Sequence, residues 1–192
     1  MKQHNRHFLH AAAVDTPRGG VLIAGKGGSG KSTTALSCLD SHLLYVGDDY
    51  VLISIDPVPY VYRLFNTAKL NVDQVKRFPY LIPLLYNEEP SEEDKSLILL
   101  NQHHPEKIYT GFPIKAILLP KVTGRRNTEF SKTKPTTALT ALAPSMIFQL
   151  SRNRAQSFQV LTHLVKEVPA YVLECGTYVT QISDIIQEVL RK

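Results

Sequence analysis

The sequence predicts an α/β fold, a mixed β-sheet flanked by helices and organised around a phosphate loop (P-loop), on three observations. Short apolar runs of strand length alternate with segments whose apolar residues recur at helical spacing. One such run, Val21-Leu22-Ile23-Ala24, leads directly into Gly25-Lys26-Gly27-Gly28-Ser29-Gly30-Lys31-Ser32, which matches the pattern G-x-x-x-x-G-K-[ST]. The next apolar strand ends on two adjoining carboxylates, Asp48 and Asp49.

The elements follow in order. Phe8 to Val14 reads as a strand, Asp15 to Gly20 as a turn, and Gly20 to Ala24 as the second strand. After the glycine loop, Ala35, Leu36 and Leu39 share a helical face, which predicts a helix over Lys31 to Leu39. Leu43 to Val46 is a buried strand. Tyr50 to Ile55 and Tyr60 to Phe65 are strands joined by Asp56-Pro57-Val58-Pro59. The proline-rich middle, Asp73 to Glu106, with its acidic patch Glu88 to Asp94, reads as short helices and loops. Ile114 to Leu119 is a strand stopped by Pro120, and polar, basic Lys121 to Lys134 reads as a mobile loop. Helices are expected over Thr136 to Ala143 and Ser145 to Leu150, interrupted at Pro144. Gln156 to Glu167 follows as an amphipathic helix, then a strand at Ala170 to Glu174 and a helix from Val179 to Leu190.

Bulk properties bound the function. A chain of 192 residues suits one domain, 1–192, with a real core. The strand bearing His10 opens so near Met1 that a missing segment ahead of it is left open. Lys and Arg number 22 against 17 for Asp and Glu, a formal +5 without a long basic run. That excess fits a phosphate ligand or an acidic partner, and no nucleic-acid-binding signature accompanies it. The two cysteines, Cys38 and Cys175, lack metal-ligand spacing and point to a reducing compartment. No signal peptide and no apolar run of bilayer length is present, so a cytoplasmic protein away from membranes is expected, with a homo-oligomer left open.

The motif residues imply chemistry. In the loop Gly25, Lys26, Gly27, Gly28, Ser29, Gly30, Lys31, Ser32 and Thr33, backbone N–H groups are expected to cradle the α- and β-phosphates. Lys31 reaches the β/γ-phosphates and Ser32 ligates Mg²⁺. The phosphate then lies at a helix N-terminus, where unpaired N–H groups favour an anion. Asp48 and Asp49 end a strand at the same sheet edge as the loop. One of the two carboxylates can serve the Mg²⁺ shell. The other can accept the proton of an attacking hydroxyl, as an Asp does in protein kinases. If Val14 pairs with Val21 across the turn, His10 falls opposite Gly25 and beside the phosphates, where an imidazole can orient a carboxylate.

Taken together, these residues resemble the catalytic core of the HPr kinase/phosphorylase family and its HPr-kinase-related serine kinase branch. His10 precedes Gly25 by fifteen residues and Asp49 follows Ser32 by seventeen, as in that family. Asn66 to Leu70, Leu119 to Val122, Ala141 to Leu150 and Val168 to Gly176 look like segments of the related branch. The resemblance implies a P-loop kinase domain of the HPr kinase/PEP carboxykinase-like type, with ATP and Mg²⁺ as cofactors. It implies Asp49 as general base, which leaves Asp48 beside Ser32 for the metal, with His10 as the catalytic neighbour of Asp49 and Lys31 on the phosphates. Departures exist: no Glu-Ile-Arg-Gly segment follows Asp49, and Arg125 and Arg126 are the nearest candidates for a substrate-site arginine. Lys69, alone among apolar neighbours, is a candidate to face the site.

The expected activity is ATP-dependent transfer of the γ-phosphoryl group to a serine hydroxyl of a protein or peptide. Two alternatives share the nucleotide site: a kinase of a small metabolite such as free serine, and a nucleotide-gated ATPase or binding module without an acceptor. A GTPase is disfavoured by the lack of an Asn-Lys-x-Asp segment, and an ABC-type ATPase by the lack of a Ser-Gly-Gly signature.

Overall fold

The computed structural model describes residues 6–16, 19–86, 95–148 and 154–192. The first strands are β1 (His7–Leu9), β2 (Ala12–Asp15) and β3 (Gly20–Ile23), followed by helix α1 (Lys31–Leu36). Then come β4 (Leu44–Gly47), β5 (Val51–Ser54), β6 (Tyr60–Arg63) and β7 (Thr67–Asn71). A short helix α2 (Val72–Val75), β8 (Lys95–Leu99) and helix α3 (Leu100–His103) precede the long strand β9 (Gly111–Val122). The chain ends with β10 (Glu129–Thr133), α4 (Pro135–Ala143), α5 (Arg154–Glu167), β11 (Ala170–Cys175) and α6 (Ile182–Val189).

Among the described residues, nine strands form one mixed sheet along the path β1-β5-β6-β9-β3-β2-β4, with β11 also on β9 and β10 on β11. Strands β7 and β8 form a separate antiparallel pair. The pleat sends alternate side chains to opposite faces, and β2, β3 and β9 feed two cores. Val14, Val21, Ile23, Ala116 and Leu118 join the face covered by α1, α6 and the β7–β8 pair. Ala13, Leu22, Ile117 and Leu119 join the face covered by α4 and α5. Strands apolar on both faces are the signature of a sheet buried between helix layers. No helix among the described residues is long and apolar enough to cross a membrane.

The expected first strand, Phe8 to Val14, is two strands. β1 pairs with β5 through Leu9–Val51, and β2 pairs with β4 through Ala13–Gly47. Those two pairs share one register, so residues 7–15 and 44–54 form one antiparallel ladder, interrupted at 10–12 on one strand and 48–50 on the other, with a bulge beyond Ala13 that sets Val14 opposite Tyr45. The interruption places His10 and the aspartate pair side by side. The β2–β3 register is the one assumed from the turn, Val14 opposite Val21.

Other differences have local causes. Helix α1 stops at Leu36 and tightens, with Cys38 N–H bonding to Ala35 O and Leu39 N–H to Leu36 O. There the Ser37 hydroxyl donates to Thr34 O at 2.8 Å, competing with the helical ladder. Pro120 does not stop β9. Leu118 O accepts from Ala24 N–H, so even-numbered β9 residues turn their backbone toward β3, which has ended before Pro120. The missing N–H of Pro120 therefore costs no ladder bond. The expected mobile loop contains β10, an edge strand on β11 with only Phe130 packed inward, against Tyr171 at 5.9 Å. Its mostly exposed side chains gave a loop-like composition. The middle segment holds β7 and β8 besides its short helices; the acidic patch 88–94 and residues 149–150 lie outside the described residues.

Because β9 serves both cores, Ile117→Ala should lower unfolding stability by about 2–5 kcal/mol. The change would be read as a lower denaturant midpoint at unchanged slope, with exposed Lys115→Ala shifting stability by no more than about 0.5 kcal/mol.

Candidate active site

The glycine loop runs from the end of β3 into α1. Gly28 and Gly30 hold φ of 76° and 105°, a left-handed backbone that a side chain strains. A Cβ at Gly27 or Gly28 would meet nothing within 4 Å, so the outer rim of the loop is open to a ligand. Lys31 begins α1 and folds back into the loop: its ammonium donates to Gly25 O at 2.9 Å and Lys26 O at 3.1 Å. At 5% exposure it is a buried cation with carbonyls but no carboxylate against it. Burial, reinforced by the Lys95 charge, pushes its ammonium below the usual lysine range, and Asp49 and Asp48 oppose that shift.

The interrupted ladder supplies the opposing groups. His10 Nε2 donates to Asp49 Oδ1 at 3.3 Å, and its ring rests on Tyr50 with centroids 5.1 Å apart. Lys69, from β7, donates from Nζ to Asp49 Oδ2 at 3.2 Å. The two aspartates are treated oppositely. The His10 hydrogen bond, aided by Lys69, holds the Asp49 carboxyl well below the usual carboxylate range. Burial pushes the Asp48 carboxyl up to about 6, against the backbone N–H of Lys69 that Oδ2 accepts at 2.9 Å. The two neighbouring carboxyls are thus driven in opposite directions.

The loop and the ladder break open on one cavity of about 470 Å³, inside the range of roughly 300–1,000 Å³ of small-molecule sites. His10, Gly27, Gly28, Gly30, Lys31, Ser32, Thr33 and Asp49 all line it. Gly25, Lys26 and Ser29 sit behind, the first two giving Lys31 its carbonyls. Asp48 is not brought to the cavity: it is 3% exposed, and its carboxylate is turned to the Lys69 amide. The Asp48 carbonyl instead accepts the Ser32 hydroxyl at 3.4 Å. Lys69 does face the site. Arg125 and Arg126 do not line it; Arg125 pairs with Glu129 and Glu174.

Asn71, Gln74, Arg77 and Lys95 also line the cavity, and sequence reasoning missed them. The available signal was alternation. In Thr67–Asn71 and Lys95–Leu99, Ala68, Leu70, Ser96 and Ile98 are buried, while the register puts Lys69, Asn71 and Lys95 together on the other face. A further stretch of lining, Val122, Val179 and Ile182, is apolar. With Lys31, Lys69, Arg77 and Lys95 against the single carboxylate Asp49, the lining suits a polyanion with an apolar part. No group of three or more His, Cys, Asp or Glu able to hold a metal exists among the described residues. A magnesium ion takes as few as one or two protein ligands besides phosphate oxygens and waters, and Ser32 and Asp49 are oxygen donors of that kind lining the cavity.

No protein-family model matches the chain, and no curated protein does. Among solved structures, the Hpr(Ser) kinase/phosphatase from Coxiella burnetii shares the fold. It matches with a TM-score of 0.53 and 11% sequence identity over 95% of this chain and 95% of that one. At that identity the likeness is one of fold: a mixed α/β sheet with flanking helices.

The Asp48 environment has a stability consequence. A carboxyl whose folded value is raised from 3.8 to about 6 binds a proton more tightly folded than unfolded. Its contribution therefore falls as pH rises from the unfolded value to the folded one and is constant above. Asp48→Asn keeps an acceptor for the Lys69 amide and removes the titration. Its stability relative to wild type should climb between pH 3.8 and about 6, by on the order of 1–3 kcal/mol, then level off. Denaturant unfolding across that range checks this, and a pH-independent difference would contradict it.

Proposed function

We propose that this protein is an ATP-dependent kinase that transfers the γ-phosphoryl group to a serine hydroxyl of a protein or peptide. The observation that carries the reading is the convergence, in one cavity, of a glycine loop holding a buried lysine with a carboxylate–imidazole pair. A protein named as an Hpr(Ser) kinase/phosphatase shares the fold, which supports the same class of chemistry.

In this reading the loop N–H groups and Lys31 bind the β- and γ-phosphates, and the helix start behind them favours their charge. Ser32 would hold a magnesium ion brought in with the nucleotide, which would neutralise phosphate charge. Val122, Val179 and Ile182 give the base an apolar wall. Asp49, ionised and aimed by His10, accepts the proton of the serine hydroxyl as its oxygen bonds to the γ-phosphorus. The bond to the diphosphate breaks with its electron pair leaving on the diphosphate. Asp48 acts one step back: it fixes the β7 backbone and orients Ser32 through its own carbonyl. Positioning and charge stabilisation provide most of the rate.

Incubation with γ-labelled ATP and candidate acceptor proteins tests this. Label should appear on serine. Lys31→Ala should weaken nucleotide binding and abolish turnover. Asp49→Asn should leave nucleotide affinity nearly unchanged and slow transfer by about 10²–10⁴. Transfer by Asp49→Asn at the wild-type rate would refute the base assignment, and release of label only as inorganic phosphate would favour an ATPase without an acceptor.

A further inference from the structure

Asp49 poses a problem for any base role, because both of its oxygens are already engaged. Oδ1 takes the His10 N–H at 3.3 Å and Oδ2 the Lys69 ammonium at 3.2 Å. Each oxygen keeps a second lone pair, but an oxygen that already accepts from a cation is a weaker base toward a substrate hydroxyl until that partner leaves. His10 is the worse candidate to leave, since it is packed on Tyr50 and its side chain is 20% exposed. Lys69 is 41% exposed at its side chain and lines the cavity that the glycine loop opens on. Its backbone is fixed by the buried Asp48 carboxylate at 2.9 Å, so its flexible four-carbon stem swings from a fixed point.

Lys31 cannot make this movement, being 5% exposed and bonded to two loop carbonyls. Lys95 lines the cavity too and acts on Asp49 through its charge.

We propose, resting on the kinase reading above, that Lys69 is a further catalytic residue that switches the base on. Before nucleotide binds, its ammonium neutralises Asp49. Once a triphosphate occupies the loop, the ammonium moves to the terminal phosphoryl oxygens, whose added negative charge outcompetes a single carboxylate. One movement then places a cation where charge develops and uncovers Asp49 Oδ2. In the transfer, the acceptor oxygen bonds to the γ-phosphorus and the bond to the β–γ bridging oxygen breaks, its electron pair leaving with the diphosphate. The acceptor proton passes to the oxygen that Lys69 has vacated. A diphosphate, lacking the terminal group, leaves Lys69 on Asp49, so the base stays masked until the phosphoryl donor is in place.

The test compares wild type with Lys69→Met, which keeps stem length without charge, and Lys69→Arg. Affinity is measured with a fluorescent ATP analogue, and single-turnover ATP cleavage with water as acceptor is followed against pH. Lys69→Met should change affinity by less than about threefold and slow cleavage by about 10²-fold or more. Lys69→Arg should recover part of the rate.

Asp49 is faced by His10 from the β1–β2 junction, Lys69 from β7, Lys95 from β8, Lys31 from α1 and the adjoining Asp48. Removing one cation from that set should move the acidic limb of the rate profile to higher pH. As a second readout, the ¹³C carboxyl signal of Asp49 should shift on addition of a non-hydrolysable triphosphate but not of ADP, and the triphosphate shift should shrink in Lys69→Met.

Wild-type cleavage by Lys69→Met overturns the proposal. So do a proportional loss of affinity and rate with an unmoved acidic limb, and a triphosphate-induced Asp49 shift that persists undiminished in that variant. Failure of wild type to bind the fluorescent analogue overturns the kinase reading itself.

Discussion

An antiparallel ladder fixes its backbone groups in pairs, and a buried ladder can be broken only where those groups find other partners. The strands at 7–15 and 44–54 are one such ladder, and its break at residues 10–12 and 48–50 is the constraint on which the site depends. Two neighbouring elements bond to Asp48 at the break, one through its backbone and one through its side chain. The α1 residue Ser32 donates to the Asp48 carbonyl, and the β7 backbone N–H of Lys69 donates to the Asp48 carboxylate. The interruption thus docks the helix that follows the glycine loop and the strand that carries Lys69 against the same point. His10 and Asp49, released from strand geometry, are free to face the cavity and each other. His10 and Asp49 meet because the sheet is locally incomplete there.

The electrostatics follow from that arrangement. Asp48 is sealed under the elements that bond to it at the break, and burial pushes its carboxyl up to about 6. Asp49, one residue on, reaches the cavity and gathers an imidazole and an ammonium, which keep it ionised. One carboxyl is sealed within the scaffold and the other faces the cavity. The cations Lys31, Lys69, Arg77 and Lys95 line the same cavity as Asp49 and favour a polyanion there.

Much of this was legible in the residues. The alternating apolar runs gave the layered α/β architecture, because strands buried on both faces leave continuous apolar stretches. The Asp15–Gly20 turn gave the β2–β3 register, and with it the neighbourhood of His10. The break in the ladder was not legible, since Phe8 to Val14 carries no glycine or proline to mark it; the interruption is set by partners distant in sequence. Asp48 read as a metal ligand because burial cannot be told from spacing within an Asp-Asp pair. The β7–β8 wall was missed because each strand is only five residues long and is separated from its partner by a proline-rich segment. Lys69 and Lys95 become neighbours only through that pairing. β10 read as a loop because an edge strand with one packed side chain has the composition of a loop.

The central claim is spatial: the imidazole and carboxylate of the broken ladder lie beside the terminal phosphate of a nucleotide seated in the glycine loop. Relaxation of histidine ring resonances by a paramagnetic Mn²⁺–ATP complex reads that distance in solution. His10 should broaden strongly as the complex is added, while His163, half-exposed on α5 and ion-paired with Glu167, stays sharp. Equal effects on the two rings, or a sharp His10 in the presence of bound complex, would contradict the account.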